Sequence, residues 1–542
     1  MPSLLSAFFL LVVTSATHPA DTYPRQPVDV EHYRFALTLA DSTDRIVGEA
    51  TVRLRMLAPD IRSIALDLAG ASTAQPGRGM RVSAVTRGGA PLAFAHGADR
   101  LTITLDHPSS AGEVVEFVIR YSGVPGDGLQ IKPNKYGDRT FFSDNWPDKA
   151  HQWLPIIDHI ADKATMEMEV VAPAHYQVIS NGRRMEQTDL PGGTRRTVWR
   201  ESVPIAPWLY VLGVARFAVQ TVGEYAGAPI ETWVYAQDRD AGFHDFAVPT
   251  RDVLAFYSER IGPFAYEKLA NVQSNASGGG MEAASAIMYG AASVTGTRAV
   301  RWRNVVIHEI AHQWFGDAVT ENDWNDVWLS EGFATYFTLL FIEHAYGRDE
   351  FASGLRDSRK TVLDFYAKTP DYRVVHENLA DMAQVTNAMT YQKGSWVLHM
   401  LRQRMGDDLF WAGIRDYYAQ FRNANASTTD FRRAMERASG LDLSAFFSQW
   451  LYRGGIPRLE GTWQWDAAAK QVVVELTQAQ AGEPFQLPVE VGITAGGKSR
   501  VERVDLTARS ARFSFPSDQE PTAVDLDPNV RLLVDGRLTR RK

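Results

Sequence analysis

At 542 residues, with 45% apolar and 22% charged residues, the chain has the composition of a soluble globular protein of several domains. Its net charge of -8 comes with no long basic tract, no P-loop and no dinucleotide fingerprint, so nothing points to nucleic acid or nucleotides. Cysteine is absent, which excludes disulfides, thiolate chemistry and a cysteine-linked lipid anchor.

Taken in chain order, residues Leu4 to Val13 form a short apolar run followed by Thr14, Ser15 and Ala16. This reads as a secretory leader over residues 1–20, cleaved near Ala16 or Ala20. It is too short to span a bilayer, which takes about 20 residues, and no later stretch reaches that length. The expectation is export to a periplasm or the outside, with no membrane span in the mature chain.

Residues 21–223 alternate as strands do. Tyr33, Phe35, Leu37 and Leu39 form one such series, Val52, Leu54 and Met56 another, and Leu101, Ile103 and Leu105 a third. Turn clusters at Asp41–Asp44 and Gly123–Gly128 separate them. Residues 224–453 are mainly helical. Candidate helices cover Asp252–Arg260, Asn304–Phe315, Asp326–His344, Tyr391–Arg404, Leu409–Arg422 and Phe431–Ala438, and Ser427 with Asp430 offers a capping box to the last. Strand periodicity returns in residues 454–542, as Val472, Val474 and Leu476, then Leu487, Val489, Val491 and Ile493. That region suits a small β-sandwich, so the fold class is multi-domain α+β.

The chemistry is concentrated in His308-Glu309-Ile310-Ala311-His312 and in Glu331. Histidines four apart share one helix face, so two imidazoles can grip one metal, and the glutamate between them can reach a water on it. With 13 His in the chain, the bare pattern arises by chance in roughly 2% of such sequences, so its surroundings decide. Val305, Val306, Ile310, Ala311 and Trp314 make this a buried helix, where unsatisfied imidazoles and a carboxylate are costly. A pair of hydrogen-bonded core histidines is the bland alternative. Glu331, separated from His312 by eighteen residues and on a second apolar helix, supplies a third ligand. Three ligands and one open position are the catalytic pattern, and one Zn2+ suits them best, although cobalt or manganese would fit the same donors.

Three motifs then resemble one family. His308-Glu309-x-x-His312 with Trp328-Leu-Ser-Glu331-Gly-Phe-Ala is similar to the gluzincin metallopeptidases. More narrowly it resembles the M1 family of zinc aminopeptidases, which includes aminopeptidase N and leukotriene A4 hydrolase. Upstream, Gly278-Gly279-Gly280-Met281-Glu282 resembles the family's exopeptidase motif, and downstream Tyr391-Gln-Lys-Gly resembles its catalytic-tyrosine helix. The resemblance implies an N-terminal β-saddle, a thermolysin-like catalytic domain and peptide substrates with a free N-terminus. It also implies that Glu309 is the general base, that Tyr391 supports the oxyanion, and that Glu282 meets the substrate amine beside Gly279, Gly280 and Met281. Ala283 stands where the family usually has Asn, and Ser330 and Asp317 also depart from its pattern. A second amine anchor common in the family has no single counterpart in Ser143–His151, where Asp144, Asn145 and Asp148 are the candidates. The chain ends too early for the large helical C-terminal domain of many members, which implies a more open cleft. An epoxide-hydrolysing enzyme of the same fold and an inert scaffold are the rival readings. Side-chain preference and oligomeric state are not legible.

Overall fold

A computed structural model describes residues 26–71, 75–376, 379 and 381–541. The leader expected over residues 1–20 lies outside the described residues. Among the described residues, no helix is long and apolar enough to cross a membrane.

The first part is built on an eight-stranded sheet. Its strand order is Arg183–Leu190, Thr194–Ile205, Ala164–Pro173, Val28–Thr38, Ile46–Met56, Val114–Val124, Gly79–Arg87 and Ala90–Pro91. Alternation sets its two faces. Tyr33, Phe35 and Leu37 point inward and are fully buried, while Arg34 between them pairs with Glu167 and Glu169 of the parallel neighbouring strand.

A five-stranded sheet follows, ordered Phe217–Tyr225, Ala228–Tyr235, Leu269–Ser274, Ala286–Gly290 and Gly280–Met281. Residue 223, where the periodicity changes, lies inside its first strand. This sheet divides two cores. Leu269, Ile287 and Tyr289 pack among the helices, and Ala270, Val272 and Met288 pack with the N-terminal sheet. Burial on both faces is why Leu269–Ser274 is buried at every position and shows no alternation. Gly280–Met281 is the edge strand of this sheet and ends beside the site.

The helices are α1 (Arg239–Phe246), α2 (Thr250–Arg260), α3 (Val300–His312), α4 (Trp328–Tyr346), α5 (Arg348–Tyr366), α6 (Gly394–Met405), α7 (Asp407–Phe421), α8 (Thr428–Ser439) and α9 (Ser444–Leu451). α4 is apolar on every side and buried from Trp328 to Ile342 except at Thr335, so it runs through the centre of the helical layer. The capping box on α8 forms as the sequence requires: Asp430 N–H donates to Ser427 Oγ at 3.2 Å, and Ser427 N–H donates to Asp430 Oδ2 at 2.9 Å. Such a cap is worth about 1 kcal/mol. α5 was not among the expected helices. Its buried side, Phe351, Leu355, Val362 and Tyr366, has helical spacing, but it follows α4 directly across Gly347 with no linker to announce it. The segment carrying Tyr391 also differs from expectation: Met389–Lys393 is a π-helical turn leading into α6.

The last part has two sheets. One is ordered Ser510–Pro516, Gln471–Gln478, Arg458–Asp466 and Asp535–Arg540, and the other Lys498–Leu506, Leu487–Ala495 and Pro521–Leu526. It is locked onto the helices by buried polar contacts. Arg359 of α5 pairs with Asp527 at 2.5 Å and donates to the Leu532 carbonyl at 2.7 Å. His399 of α6, fully buried, lies 3.0 Å from the Val530 carbonyl through Nε2 and 3.1 Å from Tyr336 Oη through Nδ1. One nitrogen donates and the other accepts, so the ring is neutral.

Burial holds His399 down at about 3, far below the 6.5 of an exposed imidazole. The unfolded chain therefore takes up a proton near 6.5 that the folded chain refuses, and stability falls as pH drops through this window. The expected loss from this group is about 1.4 kcal/mol per pH unit between about pH 6.5 and 3. Urea unfolding at pH 7 and pH 5 reads it: the stability gap between the native chain and His399→Gln narrows at the lower pH, and a constant gap contradicts the assignment.

Candidate metal centre

α3 and α4 pack side by side, and three of their polar side chains converge in that contact. His308 Nε2 and His312 Nε2 are 3.1 Å apart, and each is 3.3 Å from Glu331 Oε2. The three donor atoms form a nearly equilateral triangle. Ligands held about 2.0–2.2 Å from a tetrahedral zinc stand about 3.3–3.6 Å apart, so the triangle is close in size to one face of a zinc polyhedron. The residues present fit such an ion in donor type and in spacing.

The orientation of His312 is fixed from behind. Its Nδ1 lies 3.1 Å from the Phe315 carbonyl and 3.0 Å from Ser330 Oγ. A proton on Nδ1 bonded to that carbonyl leaves Nε2 free to ligate. Ser330, a departure from the family pattern, thus contacts the metal-facing ring from its far side.

Three further groups, Glu309, Glu282 and Tyr391, surround the triangle. Glu309, Glu282 and His312 offer ligand atoms within 4.8 Å of one another, all buried. Burial raises Glu309 well above the ordinary carboxylate range, and the neighbouring Glu282 adds to it. Burial likewise pushes Glu282 up to about 7, and its Oε1 has no hydrogen-bond partner. Burial raises Glu331 too, but the charge on His312 and hydrogen bonds from both histidines outweigh it and hold the group at about 2. Three carboxylates in one buried pocket repel one another, and a divalent cation among them removes that cost. Tyr391 Oη donates to Glu331 Oε1 at 2.5 Å, and burial, then Glu331, keeps the phenol protonated far above neutrality.

Two close backbone approaches set these distances. A Cβ on Gly280 would fall 2.0 Å from Glu309 Oε1, so only glycine lets the edge strand lie against the carboxylate. A Cβ on Gly332 would fall 2.9 Å from Gly394 Cα, so α4 touches the turn that bears Tyr391 backbone to backbone. Met281 packs into the N-terminal core, while Gly279 is tied to the sheet through its carbonyl, which accepts from Gly290 N–H at 2.7 Å.

Sequence reading missed Gln313. Its buried amide donates to the Glu282 carbonyl at 2.8 Å and to Asp317 Oδ2 at 2.7 Å, and accepts from Ser285 N–H at 2.9 Å. One side chain thereby ties the Glu282 segment to the end of α3. Its only signal was position, directly after His312 and four before Asp317. Of the amine-anchor candidates in the N-terminal part, Asn145 is spent on structure: it donates to the Tyr210 carbonyl and accepts from Trp153 Nε1. The negative charge of Asp144 is felt at Glu282.

Comparisons with known proteins match this layout. The profile of the Peptidase family M1 domain covers residues 249–450, and that of the Peptidase M1 N-terminal domain covers residues 29–209. Mouse glutamyl aminopeptidase is 26% identical over 364 residues, which is 65% of this chain and 38% of that one. A probable aminopeptidase 2 of Sulfurisphaera tokodaii is 27% identical over 406 residues, 70% of this chain and 48% of that one. The chain spans less than half the length of these curated relatives. Among solved structures, an M1 zinc metallopeptidase from Deinococcus radiodurans superposes with a TM-score of 0.66 at 26% identity, over 78% of this chain and 93% of that one. A mutant of it bound to a Tyr-Ser-Ala substrate gives 0.68 at 25% identity, over 80% and 97%.

The triangle predicts one tightly bound divalent ion per chain. Glu331→Ala and His312→Ala should each weaken zinc at least about 100-fold, the upper end of what loss of a mere supporting contact costs. Chelator competition with metal analysis of the folded variants checks this, and unchanged affinity removes the residue from the ligand set.

Proposed function

The chain belongs to the M1 peptidase family, and on that premise we propose that it is a zinc-dependent aminopeptidase that removes N-terminal residues from peptides. The observation that carries the reading is the triangle of His308, His312 and Glu331 at 3.1–3.3 Å, with Glu309, Glu282 and Tyr391 gathered round it. Bound in that triangle, zinc supplies Lewis acidity, bringing a water's pKa to about 7 and polarising the carbonyl under attack.

The side chains supply the rest. Glu309 takes the proton from the attacking water and returns it to the leaving amine. Burial and the neighbouring Glu282 raise its affinity for that proton above that of an ordinary carboxylate. Tyr391 remains a hydrogen-bond donor at every working pH, and its phenol serves the oxyanion. Glu282 has a desolvated carboxylate oxygen with no partner, and the α-ammonium of a peptide would satisfy it. The Gly280–Met281 strand lies at the edge of its sheet, where an extended substrate can add as a further strand. An amine anchor at fixed distance from the scissile bond admits one residue before that bond, which makes the enzyme an exopeptidase.

Two outcomes follow. Glu309→Ala should retain zinc while kcat/KM on an aminoacyl p-nitroanilide falls about 10²–10⁴-fold; activity within a few-fold of native would take Glu309 out of the mechanism. A peptide acetylated at its N-terminus should resist cleavage under conditions where the free peptide is consumed, and efficient internal cleavage of the blocked peptide would indicate an endopeptidase.

A further inference from the structure

Lys393 is fully buried, yet none of its hydrogen-bond partners is a carboxylate. Its amino group donates to Tyr366 Oη at 2.5 Å and reaches the carbonyls of Gly455 at 3.4 Å and Arg453 at 3.5 Å. It also lies 4.8 Å from the centre of the Tyr366 ring. Desolvating an ammonium against neutral oxygens is expensive, and a Leu or Met would fill the space at lower cost. The position calls for a role that an apolar side chain would not perform.

The surroundings suggest which. Lys393 closes the π-helical turn Met389–Lys393, two residues after Tyr391. Asn387 opens it: its carbonyl accepts from Thr390 N–H at 3.0 Å and from Tyr391 N–H at 3.3 Å, and its Oδ1 accepts from Met389 N–H at 2.8 Å. The two ends of the turn are tied to one external segment. Asn387 Nδ2 donates to Tyr372 Oη at 2.6 Å, and Tyr366 Oη donates onward to the Tyr372 carbonyl at 3.0 Å. A ring of hydrogen bonds therefore runs from Lys393 through Tyr366 and Tyr372 to Asn387. The opposite side of the same segment is pressed against α4 where Gly394 meets Gly332, the residue after Glu331. A π-helical turn has weaker internal support than an α-helical one and persists where its context holds it.

The geometry points to Lys393 as a positioning residue: through Tyr366 it clamps the π-helical turn so that the Tyr391 phenol stays on Glu331 beside the metal triangle. Lys393 touches no substrate. It sits at the end of α5 and at the Arg453–Gly455 connection, so the placement of Tyr391 depends on where the catalytic and C-terminal parts join. This inference rests on the role proposed above for Tyr391.

The test is a double-mutant cycle on the full-length, zinc-loaded protein with Lys393→Met, Tyr366→Phe and Tyr391→Phe. Lys393→Met should keep its zinc and its KM within about twofold while kcat falls about 10- to 100-fold, the cost of a misplaced catalytic group. Combined with Tyr391→Phe it should add nothing to the loss that Tyr391→Phe causes alone. Hydrogen exchange should quicken in a peptide covering Met389 to Gly394 and remain native in α3. Unchanged kcat and unchanged exchange overturn the inference, as does an equal loss of kcat in the Tyr391→Phe background, which marks general damage. If Lys393→Met does not fold, Tyr366→Phe decides by the same cycle, with a smaller fall that vanishes in the Tyr391→Phe background. Full activity in Tyr391→Phe itself would instead refute the role given to that tyrosine, and the exchange measurement still decides whether the clamp exists.

Discussion

The helical layer is arranged around the contact of α3 with α4. That contact brings two imidazoles and a carboxylate to 3.1–3.3 Å from one another, with two more carboxylates close by. No set of hydrogen bonds among these groups balances the charge. Glu331 gains from the histidines, while Glu309 is driven toward the protonated state by burial and by Glu282, and Glu282 by burial and by Glu331. A divalent cation converts this liability into a site. The fold resists collapse of the pocket because α4 is pinned on every side, including backbone against backbone at Gly332 and Gly394.

The three parts of the chain contribute different constraints. The five-stranded sheet brings the Gly280–Met281 edge against Glu309, so the strand proposed to meet substrate lies directly on the proposed base. The N-terminal core holds Met281 from behind. The C-terminal sheets grip α5 and α6 through Arg359 and His399, two buried polar side chains that specify how the layers meet. Gln313 is the bridge between these constraints, since it joins α3 to the carbonyl of Glu282.

Much of the site was legible in the sequence because its chemistry is local. His308, Glu309 and His312 lie on one helical turn, and Glu331 lies on an apolar helix whose burial makes a carboxylate conspicuous. The two β regions were legible because their long strands, such as Val28–Thr38, Ile46–Met56 and Val114–Val124, alternate between a buried and a wetter face. What could not be read depends on contacts between distant segments. Gln313 and Ser330 look like ordinary polar residues until Glu282 and His312 are seen beside them. α5 was hidden by its abrupt start after Gly347. The π-helical form of Met389–Lys393 has no periodic signature, since five residues are too few to distinguish it from the first turn of a helix. Buried polar partners such as Lys393 and Tyr366 come together from elements 27 residues apart, and no local pattern records that.

The central claim is that one ion occupies the triangle made by α3 and α4. Anomalous diffraction from crystals of the zinc-loaded protein, recorded on both sides of the zinc absorption edge, tests it most directly. The account predicts one edge-dependent peak per chain, within about 2.0–2.2 Å of His308 Nε2, His312 Nε2 and a Glu331 carboxylate oxygen. A peak lying elsewhere, or full zinc content with no peak between these three atoms, would contradict it.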